Sequence, residues 1–177
     1  TTFLKLIAGL IFPKSGSINV NEFSPKERQV NFLSDIYFIT DEVELPNWKI
    51  KLLMDIYSPL YPNFDGNLFY NLLEQFNIDK REKIGNLSYG QQKKVNIAFG
   101  IATQTRILLM DEPTNGLDIP SKTQFRKLLA KYTSDDKIII ISTHQIRDVH
   151  HLIDHILILN QTHLILDESI YDLGKKI

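Results

Sequence analysis

Two short apolar runs separated by a helical segment constrain the fold more than any other feature of this sequence. The runs are residues 107–110 and 138–141, and the segment 121–132 between them has helical spacing. Strands of a parallel sheet are covered by helices on both faces, so they are apolar throughout instead of alternating. The helix between them supplies the crossover that parallel strands require. The pattern therefore predicts an α/β fold with a mostly parallel sheet flanked by helices.

The rest of the chain is assigned from the same periodicities. Its first residues have helical spacing, residues 17–21 and 30–33 favour strands, and residues 146–153 favour a helix. Residues 156–159 and 163–166, separated by Asn160, Gln161 and Thr162, predict a closing hairpin. From about residue 36 to residue 94 the pattern is mainly helical. We therefore predict a core of residues 1–35 and 95–177, with residues 36–94 as an all-helical insertion.

Composition excludes several classes of protein. The 177 residues include 20 Lys and Arg against 21 Asp and Glu, so no strong basic field is present to attract nucleic acid. The chain contains no cysteine, which excludes disulfides, thiolate metal sites and a cysteine nucleophile. Its apolar runs are far shorter than the ~18 residues typical of a membrane span. No export signal is visible in the first residues.

Polar side chains follow both apolar runs, at the sheet edge where ligands bind in open parallel sheets. Asp111 and Glu112 follow the first run. One carboxylate could hold Mg²⁺ while the other orients or deprotonates a water for attack on phosphorus. Alternatively, the pair only caps the following turn. His144 follows the second run, and it is either a functional group at this edge or an exposed loop histidine. A metal cluster of His144, His150, His151 and His155 is a weaker alternative.

Two helix starts could bind phosphate. Ser88 and Gln91 fit a capping box, and Gly90 removes the side chain that would block a close approach. The alternative is a stable helix start with no ligand. Thr1 and Thr2 precede another helix, where a phosphate-binding loop of the form G-x-x-x-x-G-K-[ST] would end with a magnesium-binding hydroxyl. As a lone signal, this threonine pair is weak.

The motifs taken in order are more specific than any one of them. The chain resembles the ATP-binding cassette (ABC) ATPase family from its first residue to about the closing hairpin. The resemblance is carried by TTFLKLIAGL at residues 1–10, PKSG at 13–16, LSYGQQ at 87–92, ILLMDEP at 107–113, NGLD at 115–118 and STH at 142–144.

The resemblance implies a role for each motif residue. Thr1 is similar to the magnesium-binding hydroxyl of the phosphate loop, and Thr2 to its neighbour that bonds an inner phosphate. Asp111 resembles the carboxylate of the magnesium shell and Glu112 the general base. His144 resembles the switch histidine at the terminal phosphate. The signature loop of Ser88, Gly90 and Gln91, and the coupling aspartate Asp118, are similar to residues that complete the site across a dimer.

Four departures from the family pattern concern the site. The family usually has a glutamine after the strand that we place at residues 30–33, where it contacts Mg²⁺, and Asp35 takes that place here. Tyr89 stands where the signature has a small residue or lysine, and Gly116 stands where alanine is frequent. The glycines and lysine of the phosphate loop are not in this sequence, and we expect an upstream segment to carry them.

The resemblance implies that ATP and Mg²⁺ are the cofactors. It also implies two partners: a second nucleotide-binding subunit, identical or not, and the transmembrane subunit of an ABC transporter, received by a groove lined by about residues 36–48. We expect a Mg-dependent ATPase on the cytoplasmic face of the membrane that powers export. The alternatives are a soluble ABC ATPase without a transport role, or a fragment unable to bind nucleotide. No nucleic-acid partner is expected.

Overall fold

The computed structural model describes residues 1–161 and 163–175. It contains seven α-helices and five strands within those residues. In chain order they are α1 (Thr2–Ile7), α2 (Val30–Leu33), β1 (Ile36–Ile39), α3 (Ile50–Tyr57), α4 (Gly66–Gln75), α5 (Tyr89–Ala102), β2 (Ile107–Asp111), α6 (Ile119–Tyr132), β3 (Ile138–Ser142), β4 (His155–Asn160), β5 (His163–Ser169) and α7 (Ile170–Lys175).

The central sheet is parallel, as the apolar runs predict. Its strand order is β1-β2-β3, with β2 in the middle. Side chains alternate between the two faces of a strand, and β2 has both faces covered. Ile107 and Leu109 pack with Leu4 and Ile7 of α1 on one face. The other face packs against the helices: Leu108 and Met110 belong to a core cluster with α3, α4, α5 and α6. The α/β fold class is confirmed.

An aromatic cluster joins the helical region to the sheet. The ring of Phe99 on α5 lies 4.9 Å from that of Phe64, 5.6 Å from Phe69 on α4 and 5.8 Å from Tyr37 on β1, measured between centroids. Aromatic rings bury large areas and favour tilted or edge-to-face contacts at these distances. The Tyr37 hydroxyl also donates a hydrogen bond to Asn96 Oδ1 on α5, 2.8 Å away. The helical region is therefore attached to the sheet through β1 and α5.

The structure corrects the first core strand. Val30–Leu33 is one helical turn, α2, in which Phe32 is buried and Val30 is 79% exposed. The strand lies instead at Ile36–Ile39, inside the segment predicted to be all helical. Its ends, Ile36 and Ile39, are both buried, and its four residues pair with Ile107–Met110. Helices α3, α4 and α5 of that segment therefore all begin after β1.

The structure also tests the predicted strand at residues 17–21, the predicted helix at residues 146–153 and the predicted hairpin. The first two predictions are wrong and the third is confirmed. Residues 17–21 form no strand, only an isolated bridge from Val20 to Phe23. The helix at 146–153 is a single 3₁₀ turn, Ile146–Asp148, because Val149 is its only fully buried apolar residue and short helices depend on packing. The closing hairpin is present as antiparallel β4 and β5. Thr162, in its predicted turn, lies outside the described residues.

Candidate functional site

The carboxyl ends of β2 and β3 bring the predicted catalytic residues together. Asp111 pairs with Ser142 in the sheet register, so the residues after each strand are neighbours. The Glu112 amide donates to the Ser142 carbonyl at 2.9 Å, which continues the pairing one residue past β2. This register places Glu112 beside Thr143 and His144.

Asp111 is buried, and hydroxyl groups surround its carboxylate. Thr1 donates from Oγ1 to Asp111 Oδ2 at 2.5 Å, and Ser142 donates to the other carboxylate oxygen. Burial opposes ionisation of Asp111, whereas the hydrogen bonds from Ser142 and Thr1 favour it, and the pKa of Asp111 lies below the ordinary value. Asp111 is therefore held as a carboxylate. Thr2 is exposed and is the first residue of α1.

Glu112 is fixed at both its backbone and its side chain. Its φ of 44° is left-handed, a conformation uncommon for residues other than glycine, which points to a functional constraint. Its carboxylate accepts a hydrogen bond from Thr143 Oγ1 at 3.1 Å and another from the His144 amide at 3.0 Å. The His144 ring nitrogen Nδ1 lies 2.9 Å from Glu112 Oε1. The carboxylate is 20% exposed, so it stays accessible while its direction is set.

An ionic cluster around Asp148 connects the segments that follow β2 and β3. Asp148, in the 3₁₀ turn after β3, accepts a hydrogen bond from Thr114 Oγ1 at 2.9 Å and one from Lys122 Nζ at 2.8 Å. The Arg126 guanidinium nitrogen Nη1 lies 3.8 Å from Asp148 Oδ1. The loop after β2, the loop after β3 and helix α6 are thereby joined at one carboxylate. Burial raises the pKa of Asp148, but the hydrogen bonds from Lys122 and Thr114 and the two positive charges lower it further than burial raises it.

The predicted signature residues form a separate helix start. Ser88 caps α5, its hydroxyl accepting from the Gln91 amide at 3.3 Å while Gln91 Oε1 accepts from the Ser88 amide at 2.9 Å. The capping box is thus confirmed. Ser88 is exposed, and a Cβ added to Gly90 would lie 3.2 Å from the Gly116 carbonyl oxygen. None of the described hydrogen bonds joins Ser88 or Gly90 to the sheet edge.

Asp118 is the N-cap of α6. Its carboxylate accepts from the Ser121 amide at 3.2 Å, and the hydrogen bonds from Ser121 lower the pKa of Asp118. Gly116, just before it, has a φ of 75° and packs against Tyr89: an added Cβ would lie 2.9 Å from the tyrosine ring. A side chain at Gly116 would therefore be strained by its left-handed conformation and would have to displace the Tyr89 ring. The loop that carries Asp118 contacts the signature loop of the same chain.

Asp35 is not at this site. It precedes β1, so it lies at the opposite, amino end of the sheet, where Arg106 donates to it from Nε at 2.5 Å and from the backbone amide at 3.2 Å. The assignment of Asp35 as a magnesium or phosphate ligand is wrong, because it depended on a strand at residues 30–33. The residue at the carboxyl end of β1 is Thr40, followed by Asp41.

Three residues near the edge were missed by sequence reasoning. Asp41 could have been found from the apolar run at residues 36–39 that precedes it, had that run been assigned as a strand. Ser142 and Thr143 were quoted only as part of a motif, without a role.

No group of three or more histidine, aspartate or glutamate residues that could hold a metal occurs in residues 1–161 and 163–175, and this excludes the histidine cluster from that part of the chain.

Comparison with known proteins decides the family. The family described as ABC transporter matches residues 1–115, well over half of the chain. The chain belongs to the ABC transporter family. It is 27% identical over 157 residues to the ABC transporter ATP-binding protein YtrB of Bacillus subtilis (strain 168), covering 88% of this chain and 54% of YtrB. It therefore spans about half the length of that relative.

Other relatives agree with this assignment. The chain is 29% identical over 175 residues to the lantibiotic transport ATP-binding protein SrtF of Streptococcus pyogenes, covering 97% of this chain and 74% of SrtF. Its fold is shared with the ATP-binding cassette MJ0796, solved as a dimer in a post-hydrolysis state with ADP and Pi. That match has a TM-score of 0.81 at 22% identity and covers 96% of this chain and 79% of MJ0796.

Proposed function

We propose that this ABC family member is the ATP-binding and ATP-hydrolysing subunit of a transporter, and that it drives transport through a separate membrane protein. The observation that carries the proposal is the setting of Glu112. Thr143 and His144 fix its carboxylate from the neighbouring strand end while the group remains partly exposed. A fixed, accessible carboxylate next to a buried one suits a base that accepts a proton from an attacking water.

The oxygen groups at the sheet edge fit Mg²⁺. Mg²⁺ prefers oxygen ligands and is usually held by one or two protein groups, with substrate phosphates and waters filling the other positions. Thr1 Oγ1 and the Asp111 carboxylate are 2.5 Å apart and offer such a set. When bound, Mg²⁺ neutralises charge on the phosphates. Asp111 and Thr1 would hold the ion, Glu112 would orient the water, and His144 would contact the terminal phosphate.

The signature loop is proposed to act on a second subunit. Ser88 and Gly90 stand at the start of α5, a 14-residue helix, where free backbone amides and the helix dipole favour an anion. They make no described hydrogen bond to the Asp111 edge of their own chain. A facing cassette would supply that anion, as the dimeric arrangement of MJ0796 suggests. Asp118, in the loop that touches Tyr89, would then couple the two sites.

A cleft beside β1 is proposed to receive the membrane partner. It has a volume of about 160 Å³ and lies between the residues after β1 and helices α3 and α5. Its lining includes Tyr37, Leu45 and Pro46, within the segment predicted to form the groove.

Among residues 1–161 and 163–175, no helix is long and apolar enough to cross a bilayer. We propose a peripheral position on the cytoplasmic face, and export as the direction, on the resemblance of the helical insertion to exporter cassettes.

The test is ATP hydrolysis by the full-length protein with and without Mg²⁺. We expect Glu112→Gln to lower turnover ~10²- to 10⁴-fold, the usual cost of losing a general base, while MgATP binding is retained. Glu74→Gln, at an exposed carboxylate on α4, is the matched control and should hydrolyse ATP normally. Hydrolysis unaffected by Glu112→Gln would refute the assigned base. Co-purification with ribosomes instead of a membrane protein would favour a soluble ABC ATPase, and failure to bind ATP would favour the nucleotide-incompetent alternative.

A further inference from the structure

A fully buried lysine, Lys93 on α5, has no role in the function described above. Its side chain has 0% exposure, which is rare for lysine unless the charge is paired. Nζ donates to the Glu112 carbonyl at 2.6 Å, to Asp41 Oδ1 at 3.2 Å and to the Asp41 carbonyl at 3.3 Å. An ammonium group has three donors. All three are satisfied, so the lysine is built into this place.

Lys93 reaches the base through the backbone. The Glu112 carbonyl also accepts from the Asn115 amide at 3.1 Å, and the Glu112 amide is bonded to Ser142. Both sides of this left-handed residue are therefore tied down, and Lys93 supplies the one charged contact among them within the described residues. A residue persists in such a conformation only when its surroundings determine it strongly. A shift of this peptide would move the carboxylate that Thr143 and His144 hold.

Asp41 is turned toward the same lysine. Its Oδ1 accepts from Lys93 and, at 3.2 Å, from Asn115 Nδ2, and its carbonyl accepts from the Tyr89 hydroxyl at 2.6 Å. The carboxylate is thus bonded to α5 and to the loop after β2. An unpaired negative charge here would repel phosphate, and the ammonium group at 3.2 Å offsets it.

We propose that Lys93 is a positioning residue for Glu112, and that Asp41 is its counter-ion instead of a magnesium ligand. Lys93 lies five residues after the cap Ser88, on the same rigid helix. A displacement of the signature end of α5 is therefore transmitted to the Glu112 peptide through one side chain. This inference rests on the proposed function, because it takes from there the role of Glu112 as the general base.

The first test is kinetic and uses the full-length protein. We expect Lys93→Met, which keeps the length of the side chain but removes the charge, to lower kcat about 10- to 100-fold, since small misplacements of reacting groups have effects of this size. KM for ATP should change less than twofold, because the residues proposed to hold nucleotide are untouched. Lys94→Met, at the partly exposed neighbour on α5, should leave both constants unchanged. An unchanged kcat in folded Lys93→Met would overturn the proposal.

The second test does not depend on activity. Urea unfolding without nucleotide is measured for Lys93→Met, Asp41→Asn and the double variant, because coupled residues deviate from additivity. We expect each single variant to lower the urea concentration at the unfolding midpoint. We expect the loss in the double variant to be clearly smaller than the sum of the two single losses. Additive effects would overturn the ion pair. If Lys93→Met does not fold, Lys93→Gln combined with Asp41→Asn replaces it as a neutral pair, and we expect that pair to fold.

Magnesium dependence separates the two roles of Asp41. If Asp41 is a counter-ion, the Asp41→Asn variant should need the same Mg²⁺ concentration for half-maximal turnover as the wild type. A tenfold rise in that concentration would overturn the assignment. If the wild-type protein does not hydrolyse ATP, or does so independently of Glu112, the proposed function fails instead. The unfolding experiment still decides whether Lys93 and Asp41 are coupled.

Discussion

The edge of the sheet and the start of α5 contain the two groups of motif residues, and they differ in how their polar groups are satisfied. At the edge, residues more than 30 positions apart bond to each other: Glu112 with Thr143 and His144, and Asp111 with Thr1. At the start of α5, the side-chain hydrogen bonds that the structure describes for Ser88 and Gln91 stay within one helical turn. The first group is fixed by contacts across the fold, whereas the second is a capped, exposed helix start that we propose binds an anion of a facing subunit.

Among the variants that compare these two regions, the largest expected effect concerns the helix end. Gly90→Val places a branched side chain where we propose that the partner's phosphate approaches, so turnover should fall roughly 10²- to 10³-fold, as when an anion-stabilising donor is lost. Binding of ATP to the monomer should be unchanged, since the sheet edge is intact. Steady-state hydrolysis and nucleotide titration measure the two quantities. Gly66→Val, at the first turn of α4, is the control, because an added Cβ there meets only Met54 Sδ at 3.9 Å.

The next effect distinguishes two aspartates with lowered pKa values. Asp111→Asn should raise the Mg²⁺ concentration for half-maximal turnover about 10- to 100-fold, the range found when a residue that supports a metal is replaced. Asp118→Asn should leave it unchanged, since Asp118 caps α6 and accepts from Ser121. Magnesium titrations of ATP hydrolysis compare them. An equal rise in both variants would contradict the difference between the two regions.

A smaller effect tests the capping of α5. Ser88→Ala should lower the free energy of unfolding by about 1 kcal/mol, because it removes the side-chain acceptor of the capping box. Ser88→Thr retains that acceptor and should lose far less. Urea unfolding without nucleotide measures both. If Ser88→Ala were as stable as the wild type, the capping box would contribute nothing to the fold.

The smallest effect is a pH dependence at Asp148. Its pKa is lower in the folded protein than in the unfolded chain, so its stabilisation is present above about pH 4, the ordinary aspartate value, and is lost as the pH falls through the folded pKa. The difference in unfolding free energy between the wild type and Asp148→Asn should therefore shrink as the pH falls below about 4. Asp135→Asn, at an exposed aspartate, should show a much smaller difference at all pH values.

The sequence predicts local features of this fold better than the contacts made across it. The strands at β2 and β3 follow from their apolar runs, and the capping box follows from the spacing of Ser88 and Gln91. The position of β1 was missed because two short apolar runs lie close together near residues 30–39. Which of them forms a strand depends on pairing with β2, a contact made 71 residues away between Ile36 and Ile107.

The same limit applies to the site. Asp111, Glu112 and His144 were found because strand ends in a parallel sheet share an edge. Asp35 was assigned there from the misplaced strand, and the structure puts it at the other end of the sheet with Arg106. Lys93 is one of two adjacent lysines on α5, and only the packing of α5 against β1 and the loop after β2 shows which of the two is buried. Sequence periodicity does not contain that information.

The most direct test of a site divided between two chains is the self-association of the full-length Glu112→Gln protein. Blocked hydrolysis should trap the closed state, so light scattering should show a monomer without nucleotide and a dimer with MgATP. Adding Gly90→Val should restore the monomer in the presence of MgATP. Association that is independent of MgATP, or a MgATP-dependent dimer that Gly90→Val leaves intact, would contradict the account.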